Sequence, residues 1–359
     1  MDFSSNNNGA HPAGAAPAAA VQAQPFPALV LTAALLSSLK VAKIFKDNSQ
    51  IITSLDFDDS GTKCVTSAQD ESLHVYDCIT GKQDKTLFSK KVTALEMSPL
   101  DDQFLAGSEE AVRLWDLRSP NCQGAVSIVG RPAVAWDPSG IVFAVALGCT
   151  LRLYDVKIFD QGPFETGMIG QSLLGVNHTA IVATQLEFSS DGKYILVTTA
   201  AEAHYIVDAY RPNTTRFRLV GHYSYGNEVF LSGGEACWTP DGKFVVSGSR
   251  DGNIYVWDIA RAMADQMAGL VNGTPGVGNT GGAGVNGVEH GGSGNLLSAN
   301  GELKPFKVLK AHGSPSHIVA FNPKFLMMVS GSTELAFWEP DPNAAGVDAL
   351  HDFSRGGRH

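Results

Sequence analysis

The side chains best placed for chemistry lie between positions 222 and 257. His222, Ser247 or Ser249, and Asp251 supply an imidazole, a hydroxyl and a carboxylate, and Trp257 follows them. A His and an Asp at such a place could move protons, so acid–base catalysis is the first reading to weigh. The competing reading is structural. Buried polar groups must be satisfied, and a set of this kind can knit one unit of a fold together. Nothing elsewhere in the chain favours catalysis. No Gly-Lys pair is followed by Ser or Thr, so there is no phosphate-cradling P-loop. The ten histidines show no metal-ligand spacing, and no G-x-S-x-G elbow occurs. Two G-x-G-x-x-G matches begin at Gly276 and Gly282, but low-complexity sequence flanks both. A dinucleotide fingerprint needs a strand before it and a helix after it. The sequence therefore assigns no catalytic residue, no cofactor and no metal, and the expectation is a protein that is not an enzyme.

The elements that hold these residues repeat. An aromatic–Asp dipeptide returns as Tyr76-Asp77, Trp115-Asp116, Tyr154-Asp155 and Trp257-Asp258, with echoes at Val207-Asp208 and Trp338-Glu339. Each copy ends a short alternating apolar run, the pattern of a half-buried strand. The first three aspartates are spaced by about 39 residues, the period of a four-stranded propeller blade. Before each dipeptide come two further strands, separated by turns rich in Pro, Asp and Gly. The predicted fold is all-β, a WD-repeat β-propeller with six recognisable blades. His222, Ser247 or Ser249, Asp251 and Trp257 have the order of the hydrogen-bonded WD-repeat tetrad, a structural role. The aromatic of each dipeptide is expected between blades, with the Asp capping its strand. The last repeat lacks room for a fourth strand of its own. Val41 to Phe45 is therefore predicted to close the ring as the outer strand of the last blade.

Around the repeats, residues 1–30 read as a disordered N-terminal tail, too poor in large apolar side chains to offset ordering entropy. The propeller is placed at 31–340, with a short helix within Leu29 to Leu39. Residues 262–302 read as a flexible Gly-rich loop inserted in it, and 341–359 as a C-terminal tail. The net charge of −10 argues against sequence-specific nucleic-acid binding as the main role. Five scattered cysteines with no C-x-x-C pair fit free thiols in a reducing compartment. The best apolar stretch, Pro27 to Leu39, is about 13 residues, too short to span a bilayer. It also lacks the basic flank of a signal peptide. No membrane partner is expected.

The wording of the repeats is more specific than the fold. Arg113 to Gly124 reads RLWDLRSPNCQG. Lys40 to Ser49, VYDCITGK, Thr86 to Lys91, Phe159 to Phe164, LEFSSDGKYILVTT and Phe321 to Pro340 follow the same family order. Together they resemble the small WD-repeat subunit of the COMPASS histone H3 methyltransferase complex. The resemblance runs from about Leu31 to Pro340. It implies a non-enzymatic nuclear adaptor that contacts the methyltransferase catalytic subunit and other COMPASS-type subunits. It also implies links to mRNA cleavage and polyadenylation or phosphatase-complex subunits, and to the phosphorylated RNA polymerase II tail. The family has seven blades. Here Lys91 runs directly into Val92-Thr93-Ala94-Leu95, where the family carries one more blade. Either the chain closes with six blades or its coding sequence lacks an exon. The runner-up reading is a substrate-receptor or trafficking-coat scaffold unrelated to chromatin.

Propellers bind partners through the loops that enter each first strand and the turns between second and third strands. Lys91, Arg131, Tyr223, Arg250 and His312 occupy such places. Arg118 and Asn121 form a second candidate patch after the second aromatic–Asp strand. The basic members could pair with a phosphorylated or acidic peptide. Ordinary solvated turn chemistry accounts for the same residues.

Overall fold

A computed structural model of the chain describes residues 32–46, 52–57, 61–68, 72–88, 94–100, 103–107, 110–116, 122–225, 234–271 and 296–341. The expected tail at 1–30, residues 342–359, most of the Gly-rich loop (272–295), Lys91, Arg118 and Asn121 lie outside them.

The first element is a short helix, α1 (Ala33–Ser37), which buries Leu35 and Leu36. Thr32 caps it: its hydroxyl accepts the Leu35 N–H at 3.1 Å. Strand β1 (Leu39–Phe45) follows. Among the described residues six antiparallel sheets come next. The first holds β2 (Ile52–Phe57), β3 (Lys63–Ala68), β4 (Ser72–Asp77) and β5 (Lys82–Phe88). The second holds β6 (Ala94–Met97), β7 (Gln103–Gly107), β8 (Ala111–Asp116) and β9 (Gly124–Ser127). The third holds β10 (Ala133–Trp136), β11 (Val142–Leu147), β12 (Thr150–Asp155) and β13 (Glu165–Met168). The fourth holds β14 (Ala183–Phe188), β15 (Tyr194–Thr199), β16 (Ala203–Asp208) and β17 (Arg211–Val220).

The fifth begins with β18 (Ala236–Trp238), β19 (Phe244–Ser247) and β20 (Ile254–Asp258). Helix α2 (Ile259–Val271) interrupts it. The chain returns through β21 (Glu302–Leu303), which pairs in parallel with β17 of the fourth sheet, and β22 (Lys307–Leu309) completes the fifth. The sixth holds β23 (Ile318–Phe321), β24 (Met328–Gly331) and β25 (Leu335–Pro340). Its outer strand is β1, with Val41 opposite Trp338 and Phe45 opposite Leu335. This repeated four-stranded topology is that of an all-β WD-repeat propeller.

The helix α2 moves one predicted boundary. The Gly-rich loop was placed from 262, but residues 262–271 are helical. The segment ARAMADQMAGL consists mostly of strong helix formers. Asp258 accepts the Arg261 N–H at 2.8 Å at its start, and Ile259, Ala262 and Met263 pack on the core.

Local chemistry explains the turns. In the fourth sheet Ser189 donates to Asp191 at 2.7 Å, and Asp191 accepts the Lys193 N–H at 3.1 Å. In the fifth, Thr239 and Asp241 repeat this at 2.7 Å, with the Lys243 N–H at 3.2 Å. Between them Gly192 and Gly242 take φ of 69° and 67°, which only glycine adopts without strain. The aspartates of the repeated dipeptide cap the following turns. Asp77 accepts the N–H groups of Ile79 and Thr80, Asp155 that of Lys157, and Asp208 those of Tyr210 and Arg211.

The aromatics pack between sheets. Tyr76 joins Phe45, Ile52, Ile318 and Phe337 between the first and sixth sheets. Tyr154 stacks on Phe143 at 5.1 Å, beside Leu105 and Leu114 of the second sheet. Similar clusters join third to fourth, fourth to fifth and fifth to sixth.

A polar clamp recurs at two of these junctions. Glu96 accepts the backbone N–H of Trp136 at 3.2 Å, and the Trp136 indole donates to the Glu96 carbonyl at 3.3 Å. Glu187 and Trp238 repeat the pair at 3.1 and 3.3 Å. Burial pushes the Glu187 carboxyl up to about 8, against the lowering effect of the Trp238 N–H. It packs there as a neutral acid at neutral pH.

Candidate functional site on the loop face

The predicted tetrad residues lie together, but their hydrogen bonds run differently from the prediction. The Trp257 indole donates to the Val220 carbonyl at 3.1 Å, not to a serine. Ser247 is 2.9 Å from Nε2 of His204, a residue of β16 in the neighbouring sheet. Nδ1 of His204 accepts the Thr199 N–H at 3.2 Å, so the proton sits on Nε2 and is donated to Ser247. Ser247 in turn donates to the Glu235 or Gly248 carbonyl. His204 has therefore taken the place that order alone assigned to His222.

His222 stacks on His204 with ring centroids 4.2 Å apart, and both rings stand edge-on to Trp257. Its Nε2 is 3.2 Å from the Ala201 carbonyl, and its buried Nδ1 has no hydrogen-bond partner. Burial pushes His222 down to about 4, with the Ala201 bond and Asp251 opposing, and pushes His204 well below the usual histidine range. Both rings are neutral at physiological pH. Asp251 is exposed and holds its own turn, accepting from Ser249, as the predicted order allows, and also from Asn253 and from the Tyr255 hydroxyl at 3.0 Å.

The sixth sheet carries the network that the fifth was expected to have. His312 Nε2 lies 2.8 Å from Ser330, and the Trp338 indole donates to the same oxygen at 2.8 Å. Burial pushes His312 down in pKa, with Glu334 opposing. His312 was a candidate partner contact. It is half-buried and internally bonded, because its ring reaches inward to β24. The order His, Ser, Trp was legible in AHGSPSHIVAF…VSGS…AFWE. His204 was harder to find, since it sits inside an apolar strand with no turn signal beside it.

Three loop candidates are on the surface. Tyr223 is 59% exposed. Its N–H donates to Ser249 at 2.9 Å, and its carbonyl accepts the Arg250 N–H at 3.3 Å, so Tyr223 and Arg250 stand side by side. Arg131 is also exposed, on the separate loop between β9 and β10. Among the described residues no group of three or more His, Cys, Asp or Glu could hold a metal ion. Among the described residues no helix is long and apolar enough to cross a membrane.

A family model for the WD domain, G-beta repeat, matches residues 39–77 and 217–258. WD repeat-containing protein 82 of Drosophila melanogaster is 31% identical to this chain, over 85% of it and 96% of the fly protein. Set1 complex component swd2 of Schizosaccharomyces pombe is 30% identical, over 86% of this chain and 98% of its own length. COMPASS component SWD2 of Saccharomyces cerevisiae is 26% identical, over 81% and 91% respectively.

Proposed function

The chain belongs to the WD-repeat family that contains WD repeat-containing protein 82 and Set1 complex component swd2, and on that premise we propose that it is a non-catalytic scaffold of a COMPASS-type histone H3 lysine methyltransferase complex. The observation that carries this reading is likeness at 30–31% identity over nearly the whole of two such relatives, one of them named for the Set1 complex. The polar residues at the fifth and sixth sheets fit it, because His204 and His312 are each bonded to a serine inside the fold. Its partners are the methyltransferase catalytic subunit and other COMPASS-type subunits, and its place is the nucleus. Further contacts are with 3′-end processing or phosphatase-complex subunits and the phosphorylated RNA polymerase II tail. Tyr223, Arg250 and Arg131 are the described loop residues offered for such contacts, with Lys91, Arg118 and Asn121 as further candidates.

Purification of the tagged protein tests this. Recovery of a SET-domain methyltransferase with its co-subunits is the expected result. Coat or ubiquitin-ligase subunits in their place would favour the competing scaffold reading. Depletion should also lower histone H3 lysine methylation.

We also propose that one blade is missing between Lys91 and Val92. The alignment with the fly relative spans 355 residues yet covers only 85% of this chain. About fifty positions of the relative thus have no counterpart here, roughly the length of one four-stranded repeat. Sequencing the message across Lys91-Val92 tests this. An in-frame exon of about that size is expected, and an uninterrupted dominant message would refute the proposal.

A further inference from the structure

The connection from β13 to β14, residues 169–182, is long for a link between neighbouring sheets, and it is anchored at several points. Two bonds pin it to β17: the Gly170 N–H donates to Thr215 at 2.8 Å, and Ser172 accepts the Thr215 N–H at 2.8 Å. Ile169 and Ile181 are buried, and Leu173 and Val176 pack on the same core. The Ala183 N–H closes its far end on the Gly148 carbonyl at 3.0 Å. Against this anchoring, Leu174 is 83% exposed and Val182 60% exposed. Large apolar side chains held out on a pinned loop lose little further freedom on binding, so such a surface is pre-organised for contact.

Gly175, the residue after Leu174, lines a groove of about 310 Å³. The loop contributes Val176, Asn177 and Ile181 to it as well. The β15–β16 turn contributes Glu202, and Tyr205 and Arg218 also line the groove. Arg218 is already neutralised by Glu302 of β21 at 2.5 Å and also bonds the Tyr205 hydroxyl. Glu202 is exposed and makes no ion pair among the described residues. The uncompensated charge in the groove is therefore negative, in a chain of net charge −10.

We propose that this groove is a docking site for a short segment of a partner protein that places an apolar side chain against Leu174 and Val176 and a lysine or arginine against Glu202. The apolar contact supplies affinity, and the charge pair at its rim sets selectivity. This site lies on a different loop from Tyr223 and Arg250 and does not depend on which complex the protein joins.

The test is selection of random twelve-residue peptides on the immobilised full-length protein, followed by affinity measurement on variants. Selected peptides should share an apolar residue close to a basic one. Leu174→Asp should weaken them at least tenfold. Glu202→Lys should weaken them several-fold, and changing the peptide's basic residue to glutamate should restore binding to that variant. Both side chains are exposed, so the thermal midpoint of each variant should match the parent. Failure to select any peptide, unchanged binding to Leu174→Asp, or no charge-swap rescue on Glu202→Lys would each overturn the proposal.

Discussion

Between the fourth and fifth sheets, the first-strand position beside the aromatic is Glu187; between the fifth and sixth it is Cys237. Glu187 clamps Trp238 through its carboxyl and its carbonyl. Cys237 instead sits in an apolar cluster with Val246, Val319 and Phe321. The contrast continues outward. At the fourth–fifth junction two neutral histidines stack edge-on to Trp257, and one of them crosses from the neighbouring sheet to Ser247. In the sixth sheet a single histidine meets serine and tryptophan within its own unit. Equivalent positions in one repeated fold thus support a junction clamped by a buried carboxyl and another packed around a buried thiol. The first should answer more strongly to pH across the neutral range.

Glu187 gives the largest expected effect. Its folded pKa of about 8 lies above its unfolded value of 4.5. Its contribution to stability is complete below pH 4.5 and is lost as pH rises through 8, a change on the order of 5 kcal/mol. Denaturant melts from pH 5 to 9 should show this decline, and Glu187→Gln should flatten it. A decline of equal slope in the variant would sink the assignment.

His222 gives the opposite slope. Its folded value of about 4 lies below the free value of 6.5. Its contribution is complete above pH 6.5 and is lost as pH falls through 4, on the order of 3 kcal/mol. NMR titration of the His222 ring should show no protonation down to pH 5; a midpoint near 6.5 would contradict burial of the stacked pair.

A pair of double-mutant cycles compares the two sheets directly. Ser330→Ala with Trp338→Phe should show a coupling of about 1 kcal/mol, because the two side chains share a buried bond. Ser247→Ala with Trp257→Phe should show roughly none, since that indole bonds the Val220 carbonyl. Equal couplings would mean that both sheets use one network. The smallest effect belongs to the loop: Tyr223→Ala and Arg250→Ala should each change stability by less than about 0.5 kcal/mol.

Strands and turns were legible because each obeys a local rule. The alternating runs ending at Asp77, Asp155 and Asp258 became strands, and the Asp-Gly turns at 191–192 and 241–242 took the backbone that glycine permits. The helix after Asp258 was hidden by the glycine-rich sequence beyond it. The tetrad residues of the fifth sheet were identified, yet their bonds were not. Hydrogen bonding there depends on His204, which lies some forty residues from Ser247 and reaches it only through packing of adjacent sheets. The groove beside the β13–β14 loop was invisible for a related reason. It is formed by a loop, a turn and β17, which are brought together only when two outer strands meet.

The pairing of β1 with β25 sets an order of events in time. The strand that completes the sixth sheet leaves the ribosome well before its partner. About 300 residues separate them, so at 5–20 residues per second β1 waits roughly 15–60 s for β25. Throughout that interval Phe45 lacks Phe337 and Leu39 lacks Trp338, the late neighbours that complete their burial. Newly made chains are most exposed to chaperones and proteases during this wait, and a truncation ahead of Leu335 makes it permanent.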